Sequence, residues 1–171
     1  MEGNKKIIPE EIMEKINALR DESTSEWNMQ EKNLMYKSVR ERFGDEVDEL
    51  IKEAIGKRTY DTFAEISKML GDDSLETFMQ LLFDPLPDMG WKMEAHDEDG
   101  KFYRRVTYCP KYEMAKKLGA EDLMYLLACC TDYYSSTGFN PKIRFTRTKT
   151  CMEGHGECDF CFYLADKNDD K

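Results

Sequence analysis

The chain has 171 residues, 40% of them hydrophobic and 35% charged, with a formal net charge of −10 at pH 7. That length suits one domain, 1–171, with an ordinary core, and apolar residues run throughout it, which argues against disorder away from the ends. A surface this acidic repels phosphate backbones and anionic lipid heads, which excludes nucleic acid and membrane surfaces as partners.

No apolar run approaches the ~18 residues of a membrane span. Residues 1–9, MEGNKKIIP, lack the apolar segment and small-residue cleavage site of a secretory leader. A cytoplasmic protein is expected, its six cysteines held as thiols rather than as a disulfide framework.

The first half, 1–84, reads as helices punctuated by glycine. Pro9 opens a segment with Ile12, Ile16 and Leu19 on one face. Ser25 caps a second helix carrying Trp27, Leu34, Val39 and Phe43, closed by Gly44. Asp45 starts a third, with Val47, Leu50, Ile51 and Ile55, closed by Gly56. Phe63, Ile66, Met69 and Leu70 mark a fourth, closed by Gly71, and Ser74 opens a fifth over Leu75, Phe78, Leu81 and Leu82. Spacings of three and four are helical, and glycine just past the last apolar residue ends a helix. These stripes are expected to form core. Pro85-Leu86-Pro87 cannot continue a helix and marks the change to sheet.

The second part, 89–165, opens with a hairpin, 91–96 and 102–109, around Asp97-Glu98-Asp99-Gly100. Asp-Gly suits a tight turn, and the further ligands of a calcium loop are missing. Pro110 sits in the first turn of a short helix over 111–118, ended by Gly119. One longer helix follows over 121–136, with Leu123, Leu126, Leu127 and Cys130 buried, broken by Gly138 and Pro141. Two strands close the unit, 142–151 and 157–164, and 166–171 is a polar tail expected to fray. The fold class is α+β: an N-terminal helical layer packed on a C-terminal β-β-α-α-β-β antiparallel sheet.

Cys151, His155, Cys158 and Cys161 have the short spacing of a zinc site. A strand through 158–164 opposes that reading, because Cys158 and Cys161 then point to opposite faces. No metal and no cofactor is expected. Cys109 stands where a strand meets a helix N-terminus, whose partial positive charge favours a thiolate, so it is the best placed nucleophile. Asp132, near Cys129 and Cys130, is a candidate base. Arg147 follows Ile143 and Phe145 on one strand face and suits a substrate carboxylate held by two parallel bonds.

Several segments occur in an ordered series: Cys109-Pro110, Leu118-Gly119, Cys130-x-Asp132, Pro141-x-Ile143-x-Phe145-x-Arg147-Thr148-x-Thr150, and Gly154-x-x-x-Cys158-Asp159-Phe160-x-Phe162. The series resembles the L-2-amino-thiazoline-4-carboxylic acid hydrolase family over 109–162. Its last motif is also similar to the vinyl-reductase type of small-molecule-binding domain. The resemblance implies helices on an antiparallel sheet, often in a homodimer. It implies hydrolytic opening of a cyclic C=N bond in a cysteine-related thiazoline carboxylate. It draws attention to Cys109 and Asp132 for catalysis and to Arg147 and Cys158 for substrate binding. His155 departs from the turn that relatives carry, which is more often acidic. The alternative is a non-catalytic sensor or carrier for a small molecule, served by the aromatic supply of the second half.

Overall fold

A computed structural model gives the protein's structure for residues 10–165, with side chains described over 26–165. The expectations for 1–9, for the tail and for the side chains of Ile12, Ile16, Leu19 and Ser25 lie outside these. Six α-helices and four strands follow in chain order: α1 (Glu10–Phe43), α2 (Glu46–Leu70), α3 (Leu75–Phe83), β1 (Lys92–Glu98), β2 (Lys101–Tyr108), α4 (Pro110–Leu118), α5 (Glu121–Met124), α6 (Asp132–Phe139), β3 (Ile143–Thr146) and β4 (Cys158–Leu164). The class is α+β, with helices first and an antiparallel sheet of order β1-β2-β4-β3 after them. None of the described helices is long and apolar enough to cross a membrane.

Where local chemistry is strong, the expected ends hold. Gly71 and Gly119 close α2 and α4 in the left-handed conformation, at φ 64° and 57°. The Ser74 side chain accepts from the Thr77 N–H at 3.3 Å and caps α3. Asp99 and Gly100, at φ 50° and 72°, make the two-residue turn between β1 and β2.

Three groups of expectations are corrected. Residue 25 does not begin a helix, because α1 runs through it. Gly56 does not end one either: α2 continues past it, because the missing side chain lets the Tyr134 ring lie on the helix. A Cβ at Gly56 would meet ring atoms of Tyr134 at 2.5 Å, and one at Gly138 would meet the Tyr60 backbone, with Cα at 2.8 Å. The two glycines are the close-approach points of α2 and α6, so Gly138 lies inside α6 rather than breaking it.

The stripes of α1 and α2 are the second correction. Trp27, Leu34 and Phe43 are more than 60% exposed, as are Leu50 and Met69, and Val39 and Leu70 are exposed too. The buried line of α1 is Met29, Asn33 and Tyr36, which packs on α2, α4 and α5. Periodicity detected a helix, but the face that meets the core is the one its neighbours reach.

The third correction concerns the last two elements before the strands close. The helix expected over 121–136 is interrupted. A π-helical stretch, Tyr125–Cys129, follows α5 and leaves Cys130 and Thr131 in a turn before α6. The Cys130 N–H reaches back five residues to the Tyr125 carbonyl, and the Thr131 hydroxyl donates to the Ala128 carbonyl at 2.6 Å. Such side-chain back-bonding bends helices, and apolar spacing does not report it. Likewise β3 stops at Thr146 instead of reaching 151. Beyond it the Asp159 carboxylate accepts from the N–H groups of Thr148 at 2.9 Å and Lys149 at 2.6 Å, replacing sheet pairing.

The sheet's inner face is aromatic. Phe162, fully buried, pairs across β4 with Phe102 and Phe145 and meets Phe78 and Phe83 of α3 at centroid distances of 5.5 and 5.7 Å. Edge-to-face geometry of this kind adds roughly 0.5–1.5 kcal/mol per pair beyond burial. This cluster fixes α3 on the sheet, and the end of α3 forms one wall of the site.

Candidate functional site

Four elements converge on a cavity of about 140 Å³ at the edge of that aromatic cluster. The junction of β2 and α4 contributes Cys109, and the start of α6 contributes Asp132. Arg147 enters just after β3, and Cys158 from the first position of β4. The four residues singled out in the sequence therefore line one hollow. Leu82, Phe83, Leu86, Trp91, Val106 and Phe160 complete its apolar wall. Larger hollows of about 470 and 380 Å³ open along α1 and contain none of the four. An apolar cavity of ~150 Å³ is known to accept benzene, so this one is the size of a single small ring.

Cys109 is the N-cap residue of α4, with extended backbone at φ −125° and Pro110 in the first turn. Its carbonyl accepts from the N–H groups of Tyr112 and Glu113 at 3.0 and 3.2 Å. The side chain is half-buried and lies at the positive end of the helix.

Asp132 and Arg147 form the polar floor. Arg147 Nη1 donates to Asp132 Oδ2, and Nη2 donates to the Cys129 carbonyl at 3.0 Å. That carbonyl belongs to the last residue of the π-helical stretch. The guanidinium also stacks over the Phe145 and Phe160 rings, 5.4 and 5.3 Å from their centroids, so it keeps the strand face predicted for it although the strand has ended. The side chains of Arg147 and Asp132 are 7% and 18% exposed. Burial pushes the Asp132 carboxyl up to about 6, while the adjacent Arg147 charge acts in the opposite direction. Burial thus moves this acid out of the ordinary carboxylate range toward neutrality, the direction that acid–base catalysis uses. The carboxylate that Arg147 holds here is that of Asp132.

Burial raises the Cys158 thiol to about 12, against the hydrogen bond that it accepts from the Cys151 N–H at 3.2 Å. Cys129 is pushed higher still, first by burial and then by Asp132. Both are wall thiols, not nucleophiles. His155 is exposed in the turn beyond, with Nδ1 3.3 Å from the Thr150 carbonyl oxygen, and stands outside the cavity. Among the described residues no three His, Cys, Asp or Glu side chains are grouped to hold a metal ion.

Sequence reasoning missed Trp91, Cys129 and Lys111, which also line the cavity. Lys111 left a signal. It is a cation in the first turn of α4, where the helix dipole disfavours positive charge.

A family model described as L-2-amino-thiazoline-4-carboxylic acid hydrolase matches residues 27–162, which include all of these groups. Among solved structures, the chain is similar to the phenol-responsive sensory domain of the transcription activator PoxR, determined with phenol. The TM-score is 0.53 at 10% identity, covering 83% of this chain and 77% of that one. This is a likeness of fold. No curated protein matches the sequence.

Proposed function

The chain belongs to the L-2-amino-thiazoline-4-carboxylic acid hydrolase family, and from that premise we propose that its cavity binds a single-ring acid and opens a cyclic C=N bond by hydrolysis. The substrate class is a cysteine-related thiazoline carboxylate. The observation that carries this reading is Asp132, held by Arg147 on the floor of an apolar cavity that also receives Cys109.

In the proposed reaction the Asp132 carboxylate takes a proton from water as the water oxygen bonds to the ring carbon. The electron pair of the C=N bond moves to nitrogen, which is protonated. Asp132 supplies that proton, then takes the proton of the new hydroxyl and hands it to the same nitrogen as the ring C–N bond breaks and the carbon becomes a carbonyl. One water is consumed and the acid is regenerated. In the covalent form of the scheme, Cys109 Sγ bonds to the same carbon in place of water, its proton passing through Asp132 to the ring nitrogen, and water later bonds to that carbon as the C–Sγ bond breaks and a proton returns to sulfur. Arg147 positions Asp132 and offers its remaining N–H edge to the substrate, and Cys158 shapes the wall.

Turnover of 2-amino-thiazoline-4-carboxylate by the purified protein, by Asp132→Asn and by Cys109→Ser tests this. Loss of ~10²-fold or more in Asp132→Asn is expected, and a matching loss in Cys109→Ser selects the covalent form. Undiminished turnover in both variants overturns the assigned roles, and no turnover by the parent protein overturns the hydrolase reading. The fold shared with a phenol-responsive sensory domain favours a second reading, a ring-binding module without chemistry. Thermal stabilisation by single-ring ligands without turnover is its signature.

A further inference from the structure

We infer that Lys111 selects for an anionic substituent on the ligand ring and is the specificity-determining residue of the cavity. The inference rests on the cavity being a ligand site, as proposed above, but not on the hydrolytic step.

Three charged side chains line the cavity: Lys111, Asp132 and Arg147. Asp132 and Arg147 neutralise each other. Lys111 has no ion-pair partner among the described residues. Its Nζ stands 5.9 Å from the centroid of the Trp91 ring, another wall residue. The cavity therefore carries one uncompensated positive charge in a chain whose net charge is −10. Asp132 feels the Lys111 charge, but no carboxylate of the described residues is ion-paired with it, whereas at Arg147 an anionic group shares the guanidinium with Asp132.

The position of Lys111 strengthens the case. It occupies the first turn of α4, beside Cys109 and Pro110, where a cation opposes the helix dipole. Local stability favours an acid or a neutral residue there, the Trp91 ring is the local contact described for the ammonium, and departures from local rules concentrate at functional sites. Lys111 is exposed, so burial gives no structural reason for it either. With the ring against the aromatic wall, an ammonium at the Trp91 side and a carboxylic acid on the floor address two different parts of one small molecule. Lysine provides a point charge on a flexible stem, which tolerates variation in where the anion sits.

The test uses the full chain, 2-amino-thiazoline-4-carboxylate and the matching 4-carboxamide, with affinity measured by calorimetry at low salt for the parent protein, Lys111→Gln and Lys111→Arg. The parent is expected to prefer the acid. Lys111→Gln should lose ~10-fold or more in affinity for the acid and little for the amide. Lys111→Arg should keep the preference, and added salt should erode it in the parent. The exposed position predicts an unchanged melting temperature in both variants. An acid-over-amide ratio that is the same in Lys111→Gln as in the parent overturns the proposal, as does failure of the parent to bind either compound. A ratio that collapses in Lys111→Gln in a protein that turns over neither compound supports Lys111 and overturns only the hydrolytic reading.

Discussion

Replacing Arg147 by Met tests the electrostatic centre of the site most directly. In the parent protein the guanidinium is 7% exposed and satisfies both the Asp132 carboxylate and the Cys129 carbonyl. Met keeps the packing against Phe145 and Phe160 but leaves Asp132, 18% exposed, with a buried charge opposed only at longer range by Lys111. Breaking one side of such a pair costs about 3–5 kcal/mol. The cost depends on pH in a direction the structure dictates. Burial already raises the Asp132 carboxyl from 3.8 to about 6, and Arg147 restrains that rise. Without Arg147 the carboxyl titrates higher still. A carboxyl raised on folding stabilises the native state at pH values below its unfolded value, and the stabilisation is lost as pH rises through the folded value. Guanidinium unfolding should therefore show a loss of about 3–5 kcal/mol in Arg147→Met at pH 8. At pH 5, where the variant's acid is neutral, the loss should be smaller by at least about 1 kcal/mol. Asp132→Asn/Arg147→Met should recover part of it at pH 8. A loss below about 1 kcal/mol at pH 8, or one that is equal at both pH values, would refute a buried charge pair as the floor of the cavity.

Two further outcomes follow from the packing. Gly138→Ala sets a methyl against the Tyr60 backbone, which cannot yield, and should cost on the order of 3 kcal/mol by thermal unfolding. Gly56→Ala meets only the Tyr134 ring, which can swing, and gains ~1 kcal/mol of helix propensity, so its melting temperature should fall less. Iodoacetamide at pH 8 should leave Cys129 and Cys158 of the native protein unmodified in a peptide mass map while labelling all six cysteines after unfolding. Rapid native labelling of Cys158 would show that its wall is open to solvent.

Much of the architecture is legible in the sequence because it is local chemistry. Gly71 and Gly119 end helices, Ser74 caps one, and Asp99-Gly100 turns a hairpin for reasons contained within a few residues of each. The order of strands and helices follows from the same signals, and so does the placement of Cys109 at a helix start. The errors share a cause. Gly56 looks like a helix end until Tyr134, far along the chain, is known to lie on it. The apolar residues of α1 look like core until Met29, Asn33 and Tyr36 are seen to take the contacts.

The site divides along the same line. Residue identity and local position marked Cys109, Asp132 and Arg147 as capable of chemistry, because each is a reactive or charged group at a particular point of an element, and the family resemblance added Cys158. Their meeting at one cavity, the near-neutral acid and the unpaired lysine were decided only in three dimensions. A carboxyl's acidity depends on what surrounds it, and a lysine's availability depends on which carboxylates come within reach. Both are set by chain segments that the sequence keeps apart and the sheet brings together.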